Sequence, residues 1–206
     1  MLHTHKFKQA IQEGFTIVEL MIATLVFSII LLVITVGVIH FTNAYYKGVN
    51  SSTTQNTARS VIDAVSQAIE FGGGYFSSGP TTYCIGNLQF DYVLGSELES
   101  APAGTQTKNA LYQSPGNGSS CSALAGNLKT GVNVPNGKEL LGANMRISKF
   151  VITQLPNKQF SIDVRVAYGD DGLLRNPAST TAACLDQSGS QFCAVSELTT
   201  IVQSRV

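Results

Sequence analysis

Residues 15–39, FTIVELMIATLVFSIILLVITVGVI, hold one ionisable side chain, Glu19, in 25 positions. As a helix at ~1.5 Å per residue the stretch spans roughly 37 Å, more than the ~30 Å hydrocarbon core of a bilayer. Few soluble helices are apolar on every face over such a length, which argues against a buried core helix. A cleavable secretory signal calls for a shorter apolar run followed by small residues at the cut. Here a polar leader, MLHTHKFKQAIQEG, comes first and ends in Gly14. The leader sets Lys6, Lys8 and the terminal amine against Glu13, while the far flank offers only Lys47 before Arg59. This modest bias puts the leader inside and the C-terminal bulk outside.

The stretch also accounts for an odd composition. Only 13% of the 206 residues are charged, about half the ~25% usual for soluble domains. The 13 basic and 13 acidic side chains cancel, so no bulk electrostatic grip on duplex DNA is available. The length suits one domain with an appendage.

Beyond the membrane stretch, Ala58, Val61, Ile62, Val65, Ala68 and Ile69 recur at helical spacing and predict an amphipathic continuation. Gly72-Gly73-Gly74 ends it. One helix over 15–71 would be about 86 Å long, with the polar residues 50–55 as the part most prone to fray. The period then changes to two. Residues 83–94 read as a strand through Leu88, Phe90, Tyr92 and Leu94, and residues 145–155 and 158–168 read as a hairpin about Pro156-Asn157. Residues 192–203 make a fourth strand. Four strands without intervening helices predict an α+β fold, with an antiparallel sheet packed on the amphipathic half-helix. Residues 95–137 and 169–191 read as long polar loops. The expected divisions are 1–14 leader, 15–40 membrane helix, 41–71 amphipathic helix and 72–206 β-rich head.

Cys84, Cys121, Cys184 and Cys193 all follow the membrane stretch, and an even count on the outside reads as two disulfides. Three pairings are possible. Proximity in sequence favours Cys84 with Cys121 and Cys184 with Cys193. The only histidines are His3, His5 and His40, and no CxxC is present, which speaks against zinc and against His-dependent nucleophilic catalysis in the head. No phosphate-binding glycine loop or dinucleotide fingerprint is present either. The reading is a non-enzyme without a cofactor. Gly169-Asp170-Asp171-Gly172 is either a solvated turn or a calcium-binding loop, and the turn is the commoner use of such a string.

Glu19 is the anomaly, since a carboxylate in the hydrocarbon layer costs on the order of 2.5–3.5 kcal/mol. It either snorkels to the headgroups or has a partner. The string Gly14-Phe15-Thr16-Ile17-Val18-Glu19-Leu20, after a short basic leader and before an apolar helix, closely resembles the N-terminal signal of type IV prepilins and pseudopilins. The likeness covers about the first 40 residues, and the rest is similar in layout to W-type minor pilins and J-type pseudopilins. It implies a pilin-like fold and cleavage between Gly14 and Phe15 by a prepilin peptidase, which then N-methylates Phe15. It gives Glu19 an assembly role, pairing with the terminal amine of a neighbouring subunit. One departure is the lack of any proline before Pro80, where many major pilins have helix-bending prolines.

The resemblance thus implies a minor type IV pilin, stored in the cytoplasmic membrane with its head outside and then assembled at or near the tip of a surface fibre. Its partners would be the prepilin peptidase, other major and minor pilins, an inner-membrane assembly platform driven by an external ATPase, and membrane lipid before assembly. A type II secretion minor pseudopilin is the alternative that shares the same signal. A tip adhesin or a DNA-uptake head is another. From Phe41 onward 11 basic residues meet 11 acidic ones, so nucleic acid would be held by stacking on tyrosines rather than by charge.

Overall fold

The structure is a computed structural model that describes residues 14–72, 76–98, 109–116, 124, 128 and 136–205. One helix, α1 (Ile17–Phe71), runs unbroken through the predicted membrane and amphipathic stretches. By contacts the chain divides after Asn43, three residues beyond the expected boundary at 40.

In the first unit the helix is apolar all round, and its side chains from Ile17 to Ile39 are exposed in the single chain. An 18-residue window reaches a mean hydropathy of 2.9. This is a helix long and apolar enough to cross a membrane once, near the N-terminus.

In the second unit the remainder of α1 carries a buried stripe of Thr54, Ala58, Val61, Val65, Ala68 and Ile69. The predicted stripe is therefore present, with Thr54 added and Ile62 packed at its margin. The expected fraying at 50–55 does not occur. Thr53 and Thr54 return their hydroxyls to the carbonyls of Val49 and Asn50 at 2.9 and 2.7 Å, and the Asn50 amide donates to the Gln191 carbonyl at 3.0 Å. Local bonding and one tertiary tie outweigh weak helix propensity.

Ten strands among the described residues form three sheets. The first sheet is an antiparallel meander, β1 (Phe76–Ser78), β2 (Thr82–Ile85), β3 (Leu88–Tyr92), β4 (Leu111–Pro115) and β5 (Lys138–Glu139), ordered as in the chain. The second is built from β6 (Met145–Leu155), β7 (Gln159–Tyr168) and, at the far end of the chain, β10 (Ala194–Gln203), in the order β10-β7-β6. A two-residue pair, β8 (Leu174–Arg175) and β9 (Ala183–Cys184), makes the third.

The hairpin of β6 and β7 turns at residues 156–158, with Asn157 and Lys158 at positive φ, as Pro156-Asn157 predicts. Phe160, Ile162, Val164 and Val166 are buried, and alternation puts Ser161, Asp163 and Arg165 on the other face. The single strand expected over 83–94 is instead a hairpin. Ile85 pairs with Leu88 across the two-residue turn Gly86-Asn87, with Gly86 at φ +57°. A Cβ on Gly86 would lie 2.0 Å from the Gly72 carbonyl oxygen, so only glycine allows the turn to close on the end of α1. The expected single sheet is likewise divided, into two main sheets and the short β8–β9 pair. The two main sheets are joined where Gly95 and Leu98 donate backbone N–H bonds to Ile147 and Met145 at 2.8 and 2.9 Å.

Five aromatic rings then lock the sheets together. Phe150 of β6 meets Tyr83 and Tyr92 edge-on at 5.4 and 5.2 Å, and Phe160 of β7 meets Phe76 at 5.2 Å. Such pairs add about 0.5–1.5 kcal/mol each beyond their area burial. With the α1 stripe and Ile147, Ile162, Val164 and Val166 they form one core. The α+β layout with a long N-terminal helix on antiparallel sheets is the pilin-like arrangement expected.

Candidate functional site

Helix α1 begins where a peptide group needs help. The first N–H groups of any helix have no partner within it. Here Thr16 precedes the first helical residue and Glu19 stands three positions on. The Thr16 N–H and hydroxyl both donate to Oε2 of Glu19 at 2.9 Å, while the Glu19 N–H donates to Thr16 Oγ1 at 3.2 Å. This reciprocal arrangement is a capping box, and Leu20 closes the first turn on the Thr16 carbonyl at 3.1 Å. The carboxylate also lies at the positive end of the helix dipole.

Glu19 therefore has a role inside its own chain, which the sequence spells as Thr16-Ile17-Val18-Glu19 but which the reading above passes over. Oε1 has no partner among the described residues, so an incoming cation or N–H group can use it without opening the cap. Next to it Phe15 is 86% exposed. A Cβ on Gly14 would touch no atom of the described residues, so none of them demands glycine there.

Further along, polar side chains are silenced by the helix itself. Thr24 donates to Met21 O at 3.0 Å, and Ser28, Thr35 and Thr42 donate to the carbonyls four residues back at 2.8 Å. Hydroxyls satisfied in this way are tolerated in hydrocarbon. The helix start thus offers a free carboxylate oxygen on an otherwise apolar rod. Family models, characterised proteins and solved structures all return no match.

Of the four cysteines, Cys184 and Cys193 are bonded to each other, as expected. Cys84 is also disulfide-bonded, and its expected partner Cys121 lies outside the described residues, as does the leader 1–13. In the Gly169–Gly172 string, Asp171 is paired with the Arg146 cation. That guanidinium is 1% exposed, pairs with Asp171 and with Glu97 at 2.9 Å, and donates to the Gly169 carbonyl at 2.6 Å. A fixed cation inside the fold holds this turn, which favours the solvated-turn reading over a calcium loop.

Two further carboxylates, Asp91 buried and Glu139 half-buried, are marked by no motif in the sequence. Asp91 accepts from the Thr82 hydroxyl, from Gln89 at 2.7 Å and from the Leu124 N–H at 2.9 Å. Glu139 accepts the N–H groups of Ala110, Leu111 and Leu141 at 3.0, 2.9 and 3.2 Å. Burial pushes its pKa above the usual carboxylate range, against the pull of those bonds. Both side chains pin segments of the 95–137 region to the sheet, so that region is not simply a polar loop. It contains β4 and the fully buried Leu111 and Leu128.

Proposed function

We propose that the chain is a minor type IV pilin, a structural or priming subunit at or near a fibre tip. The observation that carries this reading is Gly14-Phe15-Thr16-Ile17-Val18-Glu19-Leu20 opening onto a helix of membrane length. The β-rich unit that follows and its disulfides support it. A prepilin peptidase cuts after Gly14 on the cytoplasmic side and methylates Phe15. The apolar helix stores the subunit in the cytoplasmic membrane with the head outside, until an assembly platform and its ATPase draw it into a bundle of like helices. There the free Glu19 oxygen receives the terminal amine of a neighbour, an attraction strengthened by the low dielectric around it.

The test is processing. Replacing Gly14 by isoleucine places a branched side chain at the cut without touching any of the described residues. A membrane immunoblot should then show only full-length precursor, whereas normal shortening of the variant sinks the assignment. Mass spectrometry of the wild-type mature chain should find N-methylated Phe15 first.

A further inference from the structure

Three aromatic rings are gathered on the surface of the second unit. Tyr45 and Tyr46 lie at the start of its helical segment, with ring centroids 6.0 Å apart. The ring of Phe192 packs on Tyr46 at 5.3 Å from a segment 146 residues later in the chain. All three remain exposed, at 60, 43 and 43%. Isolated exposed aromatics are ordinary, but a cluster assembled from distant parts of a chain calls for an occupant.

Much of the fold is arranged to hold Phe192 there. The Cys184–Cys193 disulfide closes the loop, and Gly189 at φ +93° turns it into the short 3-10 turn Ser190–Phe192. The Asn50 amide then ties the adjacent Gln191 carbonyl to the helix at 3.0 Å. Apart from the half-buried Leu185 the loop is polar or glycine (Asp186, Gln187, Ser188, Gly189, Ser190, Gln191), so an exposed phenylalanine at its end is the exception.

We propose that Tyr45, Tyr46 and Phe192 form a lipid contact that sits in the headgroup layer of the membrane holding the chain. The proposal rests on the single-pass reading of α1. Tyr45 follows Ile39, the last residue of the apolar stretch, by six positions. In a helix that is at most about 9 Å beyond the hydrocarbon face, at the outer edge of a headgroup layer about 5–8 Å deep, and helical side chains lean back towards the N-terminus, here towards the membrane. At any angle between the two units, so short a connection keeps the tyrosines within reach of that layer. Tyrosine suits it, with an apolar ring for the acyl boundary and a hydroxyl for water. Lys47, next in the chain, supplies an ammonium for lipid phosphates.

A second copy of the chain fits less well. Rings burying ~150–250 Å² each when fully covered, and exposed by about half, offer roughly 300 Å² against the ~800 Å² per partner of a stable interface.

The chain has no tryptophan, so a single introduced one is a clean reporter. Full-length Phe192→Trp, Tyr45→Trp, Ile201→Trp and Leu25→Trp are reconstituted into phosphatidylcholine–phosphatidylglycerol vesicles, with lipids brominated either near the headgroup or deep in the acyl chain. Ile201 is an exposed residue of β10, 62% accessible, and serves as the head control. Shallow bromine should cut the emission of the Phe192→Trp and Tyr45→Trp chains by about half or more, as for interfacial tryptophans, and leave Ile201→Trp unchanged.

If Leu25→Trp responds to deep bromine while Phe192→Trp behaves like Ile201→Trp, the lipid contact is refuted and the membrane reading stands. If Leu25→Trp does not respond either, both are refuted. Emission of Phe192→Trp that follows protein density rather than bromine assigns the patch to a second copy and overturns the proposal.

Discussion

Glu19 holds two candidate tasks at once, and a single pair of substitutions separates them. Glutamine can still accept from the Thr16 N–H, because capping boxes take Gln as readily as Glu, but it cannot form an ion pair. If charge pairing drives assembly, Glu19→Gln and Glu19→Val should both be processed and both enter fibres poorly, by an order of magnitude or more on the ~1.4 kcal/mol-per-decade scale. If only the cap matters, Glu19→Gln should incorporate normally, and immunogold counting on fibres reads the difference. A second residue-scale test uses Glu139. Its folded pKa is raised by burial above the ordinary 4.5, so below pH 4.5 it is protonated whether folded or unfolded. As pH rises from 4.5 towards the folded value the unfolded chain ionises first, and the stability contributed by the neutral form is lost. Glu139→Gln loses one of the two side-chain oxygens that accept backbone N–H groups but has no such slope. The melting-temperature advantage of the wild-type chain over the variant, measured in detergent, should therefore be largest on the acid side and shrink across that window. A gap that does not change with pH contradicts the assignment.

Among the elements, the Cys184–Cys193 link is the one whose removal is best defined. Loop-closure entropy for nine residues of separation gives roughly 2.5–3 kcal/mol. The double Cys→Ser variant should accordingly melt roughly 5–10 °C lower, and its Phe192 segment should exchange amide hydrogens faster while the β6–β7 hairpin keeps its protection. The same elements show what a sequence can disclose. The β6–β7 hairpin is legible because both arms alternate and Pro156-Asn157 punctuates them, and the α1 stripe is legible because five of its six predicted members recur at helical spacing and are buried. The β2–β3 hairpin is only partly so: Gly86-Asn87 is a two-residue turn pair that carries the positive φ, whereas the approach of the Gly72 carbonyl, which bars a Cβ at Gly86, is distant in sequence. Strand β4 hides for a related reason. Its neighbours in the sheet are β3 and β5, and the anchor that makes burial of Ala110 and Leu111 affordable is the carboxylate of Glu139, nearly thirty residues away. At the site, Gly14, Phe15 and Glu19 are visible as a motif, whereas the Thr16 cap is visible only to a reader who asks where the first N–H groups of the helix go.

On the scale of the whole molecule, one membrane-length helix followed by a disulfide-bonded unit is compatible with a single-pass chain, and the proposed function sets its head outside. In sealed spheroplasts, added protease should degrade the head and spare a fragment containing residues 15–39, and a head protected until lysis would reverse the proposed orientation. The outer face of the second sheet bears on how such a subunit meets its surroundings. Lys149 binds Glu197 at 3.0 Å and lies 3.6 Å from Asp163, Arg165 binds Glu197 at 2.6 Å, and Thr199 donates to Asp163. These two cations and two anions cluster across β6, β7 and β10, with Lys149 opposite Arg165 and Glu197 paired to both, so opposite charges meet within a few ångströms. Beyond a Debye length of about 8 Å in physiological salt the face casts almost no field. A partner approaching that face meets little net charge, so its capture owes little to long-range electrostatic steering.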